Sequence, residues 1–108
     1  MLNVVKPLNF AELRIANVER CEKHFHKCSD WTLTDWGCAT AGEVGEACNL
    51  IKKLRRGDKI DINEIGKELA DIVTYVDHIA NALNLDLGEC VRAKFNEVSD
   101  RVNSPIKL

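Results

Sequence analysis

Two carboxylate pairs, Glu43-Val44-Gly45-Glu46 and Glu68-Leu69-Ala70-Asp71, stand out as residues whose type and spacing can do chemistry. At i, i+3 spacing each pair projects from one helix face, about one turn apart. A single pair of this kind is usually a solvated acidic face. Two pairs on consecutive helices that pack antiparallel can enclose a hard divalent cation with oxygen ligands, which Mg²⁺ prefers. Mg²⁺ retains waters that phosphate oxygens can replace, so the pattern points to phosphate chemistry.

The elements that must carry these acids are helices. The segment from about Asn9 to Phe25 places Phe10, Leu13, Ala16/Asn17 and Cys21 at helical spacing. His26 to Leu33 has no period and reads as a loop. Thr34 is a candidate N-cap for a second helix that runs to Arg56 and stops at Gly57-Asp58. Asp61 or Asn63 opens a third, whose Ile62, Ile65, Leu69, Ile72, Val73, Val76, Ile79 and Leu83 give the strongest period in the chain. Asn84 reads as a left-handed cap. Asp86 then starts a fourth helix to about Val102, ended by Ser104-Pro105. No strand alternation occurs, so the expected class is all-α, a four-helix bundle in one domain over residues 1–108. The short connection at Asn84 predicts that the third and fourth helices form an antiparallel hairpin.

On the second helix Trp36, Thr40, Ala47, Ile51 and Leu54 share an apolar face with Glu43 in its middle and Glu46 at its flank. A core-directed carboxylate is costly unless paired, protonated or bound to metal. On the third helix Glu68 and Asp71 border the apolar stripe, and Tyr75 and His78 continue their line. Away from the apolar face of the second helix, Cys38, Gly42, Gly45 and Asn49 form a small-residue stripe suited to close helix contact, within the chain or across an oligomer interface. Lys52 to Lys59 is a basic cluster explained by the negative end of the helix dipole.

Composition narrows the classes. The 108 residues are 45% hydrophobic and 30% charged with net charge −2, which fits a soluble globular domain without general nucleic-acid affinity. No apolar run reaches the roughly 20 residues of a membrane span. The odd count of five cysteines, without CxxC spacing or a signal-peptide pattern, predicts reduced thiols and a cytoplasmic location. Cys21, His24, His26 and Cys28 have metal-ligating chemistry, but C-x-x-H-x-H-x-C is not a recognised zinc spacing, and scattered structural residues are the favoured reading. A di-iron carboxylate bundle would bring Glu-x-x-His pairs, and His78 is not at i+3 from any Glu.

From Trp36 to Arg101 the chain resembles the MazG-type, all-α nucleotide pyrophosphohydrolase family. The resemblance rests on Glu43-Val-Gly-Glu46 within its small-residue context, on Glu68-Leu-Ala-Asp71-Ile-Val-Thr-Tyr75, and on Lys94-Phe95-Asn96 followed by a polar, basic stretch to Arg101. It implies a MazG-like bundle whose helices assemble with a second subunit, as a homodimer or homotetramer. It further implies hydrolysis of a (deoxy)nucleoside triphosphate to the monophosphate and pyrophosphate. Glu43, Glu46, Glu68 and Asp71 would hold Mg²⁺, with Mn²⁺ as a substitute. Glu46, less deeply placed than Glu43, is the preferred general base. Tyr75 and Lys94 match positions that line the family's pocket. Asn96 is a candidate phosphate contact, Trp31 is a candidate for stacking on a base, and Trp36 is expected in the core. Where many members carry an Asn/Arg-rich run, this chain has Val98-Ser99-Asp100, so the resemblance implies no base preference. The competing expectation is a non-catalytic helical interaction module with a vestigial acidic site.

Overall fold

The computed structural model describes residues 6–108, so residues 1–5 of the expected domain lie outside the described residues. Four α-helices carry the fold, and no strand occurs among the described residues: α1 Phe10–Arg20, α2 Leu33–Arg55, α3 Ile62–Ala82 and α4 Leu87–Arg101. Each begins at a side-chain cap. Asn9 accepts from the Glu12 amide, Asp61 from that of Asn63 and Asp86 from that of Glu89. The start of α2 is Thr32 rather than Thr34. Thr32 and Asp35 form a reciprocal capping box that satisfies two amide donors, which a simple cap at Thr34 would not do.

The chain between α1 and α2 is not a plain loop. α1 continues into a π-turn, Cys21–Phe25, closed by the His26 amide donating to the Cys21 carbonyl at 2.9 Å, and a 3₁₀ turn spans Cys28–Asp30. The wider π-turn rotates the chain out of the helix register. Further on, Gly57 takes φ +95° after α2, and Asn84 takes φ 55° after α3. Both are left-handed stops at the positions expected from residue type.

α3 is the central element. α2 lies antiparallel along it, and α1 packs on its C-terminal half. Trp36 and Ala47 bury the inner face of α2, whereas Ile51 and Leu54 remain largely exposed, so that face is rotated from the expected one towards Leu50. Among the described residues the small-residue stripe serves no close helix contact: a methyl group placed at Gly42 or Gly45 would meet nothing.

The expected α3–α4 hairpin does not form. α4 makes almost no contact with α3 and touches the body chiefly near its start, where Gly88 lies against Phe10 of α1. Its partner is the C-terminal tail. Asn96 donates from Nδ2 to the Leu108 carbonyl at 3.2 Å, its Oδ1 accepts from the Leu108 amide at 2.8 Å, and Lys107 pairs with Asp100. A short connection limits how far α4 can start from α3 but not its direction. The four helices therefore do not close a bundle within one chain. No helix among the described residues is long and apolar enough to cross a membrane.

Candidate functional site

The antiparallel pairing of α2 with α3 sets Glu43 opposite Glu68 and Asp71. One oxygen from each of these three carboxyl groups lies within 4.8 Å of the others. Glu43 and Glu68 are half-buried, and one oxygen of each (Oε2) is fully buried without a hydrogen-bond partner. Glu46 and Asp71 are exposed at the mouth. Glu43, as a hydrogen-bond partner for the protonated form, raises the Glu68 carboxyl above the ordinary value, followed by burial and repulsion from Glu43, while Glu46 acts in the opposite sense. With both carboxyls ionised there is no proton to share, and each keeps a buried oxygen without a partner, an arrangement that a cation would relieve.

Hard oxygen donors at this spacing suit Mg²⁺. In an octahedron with bonds of about 2.05 Å, ligand oxygens sit ~2.9 Å apart when adjacent and ~4.1 Å when opposite. The three oxygens lie within 4.8 Å of one another, so side-chain rotation would have to draw them together to share one ion. Their chemistry fits a hard divalent cation.

Beside the acids lies a cavity of about 320 Å³ bordered by Glu43 and Asp71, with Trp31, Trp36, Tyr75 and His78 among its walls. The walls are a connected aromatic cluster. His26 stacks on Trp31 at 4.8 Å, Trp31 tilts against Trp36 at 4.6 Å, and Trp36 stacks on His78 at 4.2 Å. Trp36 is buried and Trp31 half-exposed, so Trp31 offers the more accessible ring while Trp36 serves the core. Burial, then the charges of Glu43 and Asp71, raise the Tyr75 hydroxyl above its ordinary value, so it stands by the acids as a neutral donor. Burial lowers His78 below its ordinary value.

The cavity thus brings Glu43, Asp71, Tyr75 and Trp31 together, while Glu68 meets Glu43 and Asp71 through its carboxyl and Glu46 approaches Glu68. The structure does not bring Lys94 or Asn96 there within the chain. Lys94 pairs with Glu97 at 3.2 Å on α4, beside an apolar groove between α4 and the tail, and Asn96 is occupied by Leu108. Arg20 lines the cavity with a permanent positive charge and was not singled out from sequence. Its position at the end of α1 became informative only once the π-turn had folded beside α3.

Two further groupings required the fold. Asp77 is fully buried and accepts from Arg14 Nε at 2.9 Å and Asn17 Nδ2 at 3.1 Å. Asn17 Nδ2 also donates to the Thr74 carbonyl and Arg14 to that of Leu85, which ties α1 to α3. The second grouping joins Cys21 and Cys28 to His78 rather than to the neighbouring His24 and His26. Burial, and then the Cys21 thiol, push the Cys28 thiol up to about 12. All five cysteines are free thiols.

Comparisons of the chain with protein-family models, curated proteins and solved structures found no match.

Proposed function

We propose that the protein is a Mg²⁺-dependent pyrophosphohydrolase that cleaves a (deoxy)nucleoside triphosphate to the monophosphate and pyrophosphate. The observation that carries this reading is the pair of buried, unpartnered oxygens on Glu43 and Glu68, joined by Asp71 at the mouth of an aromatic-walled cavity. Cation-seeking oxygens beside a surface that can stack on a base suit a nucleotide bound through its metal-bridged phosphates.

Glu43, Glu68 and Asp71 would hold Mg²⁺ or Mn²⁺, which neutralises phosphate charge and acidifies a water. Glu46 lies outside the three converging oxygens, so its carboxylate is free to take the proton of the water attacking the α-phosphorus. Tyr75 donates a hydrogen bond from its neutral hydroxyl, Arg20 attracts the phosphate chain, and Trp31 stacks on the base. The role is nucleotide-pool housekeeping in the cytoplasm.

The proposed enzyme is a homodimer or homotetramer. A compact chain of this length has a radius of gyration of about 13 Å, against 16.7 Å here. Exposed apolar residues run along α2 (Val44, Ile51, Leu54), α3 (Ile62, Leu69, Val73) and α4 with its C-cap (Val91, Phe95, Val102). A second subunit covering these faces completes the MazG-like bundle and lets Lys94 act at a neighbour's site. The same exposed faces favour one other reading, a non-catalytic assembly module.

A panel of canonical and modified nucleoside triphosphates, assayed for pyrophosphate release with Mg²⁺ and with Mn²⁺, decides between the two. Metal-stimulated release supports the hydrolase. No release from any member of the panel leaves the assembly module.

A further inference from the structure

Cys21 ends α1, Cys28 opens the 3₁₀ turn, and His78 lies on α3 two turns beyond the acids. One ligand atom from each comes within 4.8 Å of the others. Cys21 and His78 are buried, at 2% and 6% exposure, and Cys28 is half-buried. His78 Nδ1 is buried without a hydrogen-bond partner. A buried imidazole nitrogen normally has one, so an unpartnered nitrogen on the ring that reaches the two sulfurs is a second sign of a ligand.

We infer that Cys21, Cys28 and His78 bind one thiophilic divalent cation of the zinc class, at a site separate from the carboxylates. Two sulfurs and one imidazole nitrogen are the ligand types such ions select, whereas Mg²⁺ takes oxygen. In a tetrahedral site with bonds of about 2.3 Å to sulfur and 2.0–2.1 Å to nitrogen, ligand atoms stand ~3.5–3.8 Å apart. The observed limit is about one ångström wider. As the two metal–sulfur bonds form, each thiol releases its proton to solvent, and the imidazole binds neutral. The fourth position falls to water or to Glu22, whose Oε1 already accepts from the Cys28 amide at 2.9 Å and which borders the same hollow as Cys28 and His78. A Cys21–Cys28 disulfide would leave the His78 nitrogen unexplained.

The bound ion joins the end of α1 and the loop after it to α3. That loop carries His26 and Trp31, one side of the aromatic wall. Zinc here is a structural staple that fixes the wall.

The test uses the full chain, purified with reductant and stripped of metal, titrated with Zn²⁺ against a chromophoric chelator and separately with Co²⁺. Expected are one Zn²⁺ per chain, a higher melting temperature, and a cobalt spectrum with thiolate charge-transfer bands. Cys28→Ser, at a half-buried position, should weaken Zn²⁺ binding on the order of 100-fold or more while keeping the metal-free melting temperature. His78→Gln should also weaken Zn²⁺ binding, with a lower metal-free melting temperature because the buried ring stacks on Trp36. The exposed Cys38, Cys48 and Cys90 replaced together by serine should bind as wild type, as should Glu43→Gln. That last variant separates failure here from failure of the hydrolase reading. The inference is overturned by absent stoichiometric uptake in the reduced protein, by wild-type affinity in Cys28→Ser, or by a cobalt spectrum without thiolate bands. It is equally overturned if the only reactivity of the pair is closure to a disulfide.

Discussion

Asp77 and the Glu43–Glu68 pair are all inward-facing carboxylates on the α2–α3 framework, and they could hardly be equipped more differently. Asp77 has no exposed surface, yet both of its oxygens receive hydrogen bonds, one from a permanently charged guanidinium. Glu43 and Glu68 each bury an oxygen that receives nothing, and they face each other. A carboxylate whose burial is fully compensated within the chain is part of the structure. One whose burial is compensated only by something brought from outside is part of a site.

The contrast can be broken by substitution. Asp77→Ala leaves Arg14 partly buried without its anion and Asn17 with one bond fewer. The expected loss is about 3–5 kcal/mol, the cost of removing one partner of a buried ion pair, read as a reduced urea midpoint. The same experiment on Glu43→Gln or Asp71→Asn should show a retained helical fold. Turnover in those variants should fall on the order of 10²–10³-fold or more, since several kcal/mol of charge stabilisation depend on the held cation. Full activity in both would end the metal assignment. Trp31→Ala should act on binding, with a KM roughly tenfold higher and a smaller change in kcat, because stacking on a base is worth about 1–3 kcal/mol.

The smallest effect is also the most diagnostic. Because the Glu68 pKa is raised on folding, the native state binds more protons than the unfolded state between the ordinary Glu value of about 4.3 and that raised value. Stability from this group therefore falls as pH rises through the window. In chelator, Glu68→Gln should melt above wild type at neutral pH, with the difference shrinking as pH falls towards 4. Saturating Mg²⁺ should remove or reverse the difference. His78 works with the opposite sign, since its lowered pKa costs stability as pH falls below about 6.5, but it is common to both proteins and cancels. A difference that is independent of pH and unmoved by Mg²⁺ would place Glu68 with Asp77, as a structural residue.

Much of this was legible in the residue pattern. The caps at Asp61 and Asp86, the stops at Gly57 and Asn84, and the adjacency of the acid pairs follow from local rules of helix termination and spacing. Thr34 fits a simple cap, but Thr32 stands three residues before Asp35 and gains a reciprocal bond that a cap at Thr34 lacks. The direction of α4 was not legible, because a left-handed cap ends a helix without specifying where the next one leads. Asn17 falls on the apolar stripe of α1, and only its contact with Asp77, 60 positions away, shows why an amide belongs there. The metal-ligating chemistry of Cys21 and Cys28 is visible in the sequence, where their neighbours His24 and His26 make no recognised zinc spacing; the histidine they meet lies elsewhere. It is His78, 50 residues further on from Cys28.

By itself the sequence determined that the chain is helical and that two acid pairs lie on neighbouring helices where they can face one another, because both properties depend on residues within a turn or two of each other and on short connections. Tertiary structure alone decided which carboxylate oxygens lack partners, which histidine meets the two thiols, and that α4 leaves the body. Those outcomes depend on the rotation and angle at which helices pack, which are set by the summed side-chain contacts of distant segments.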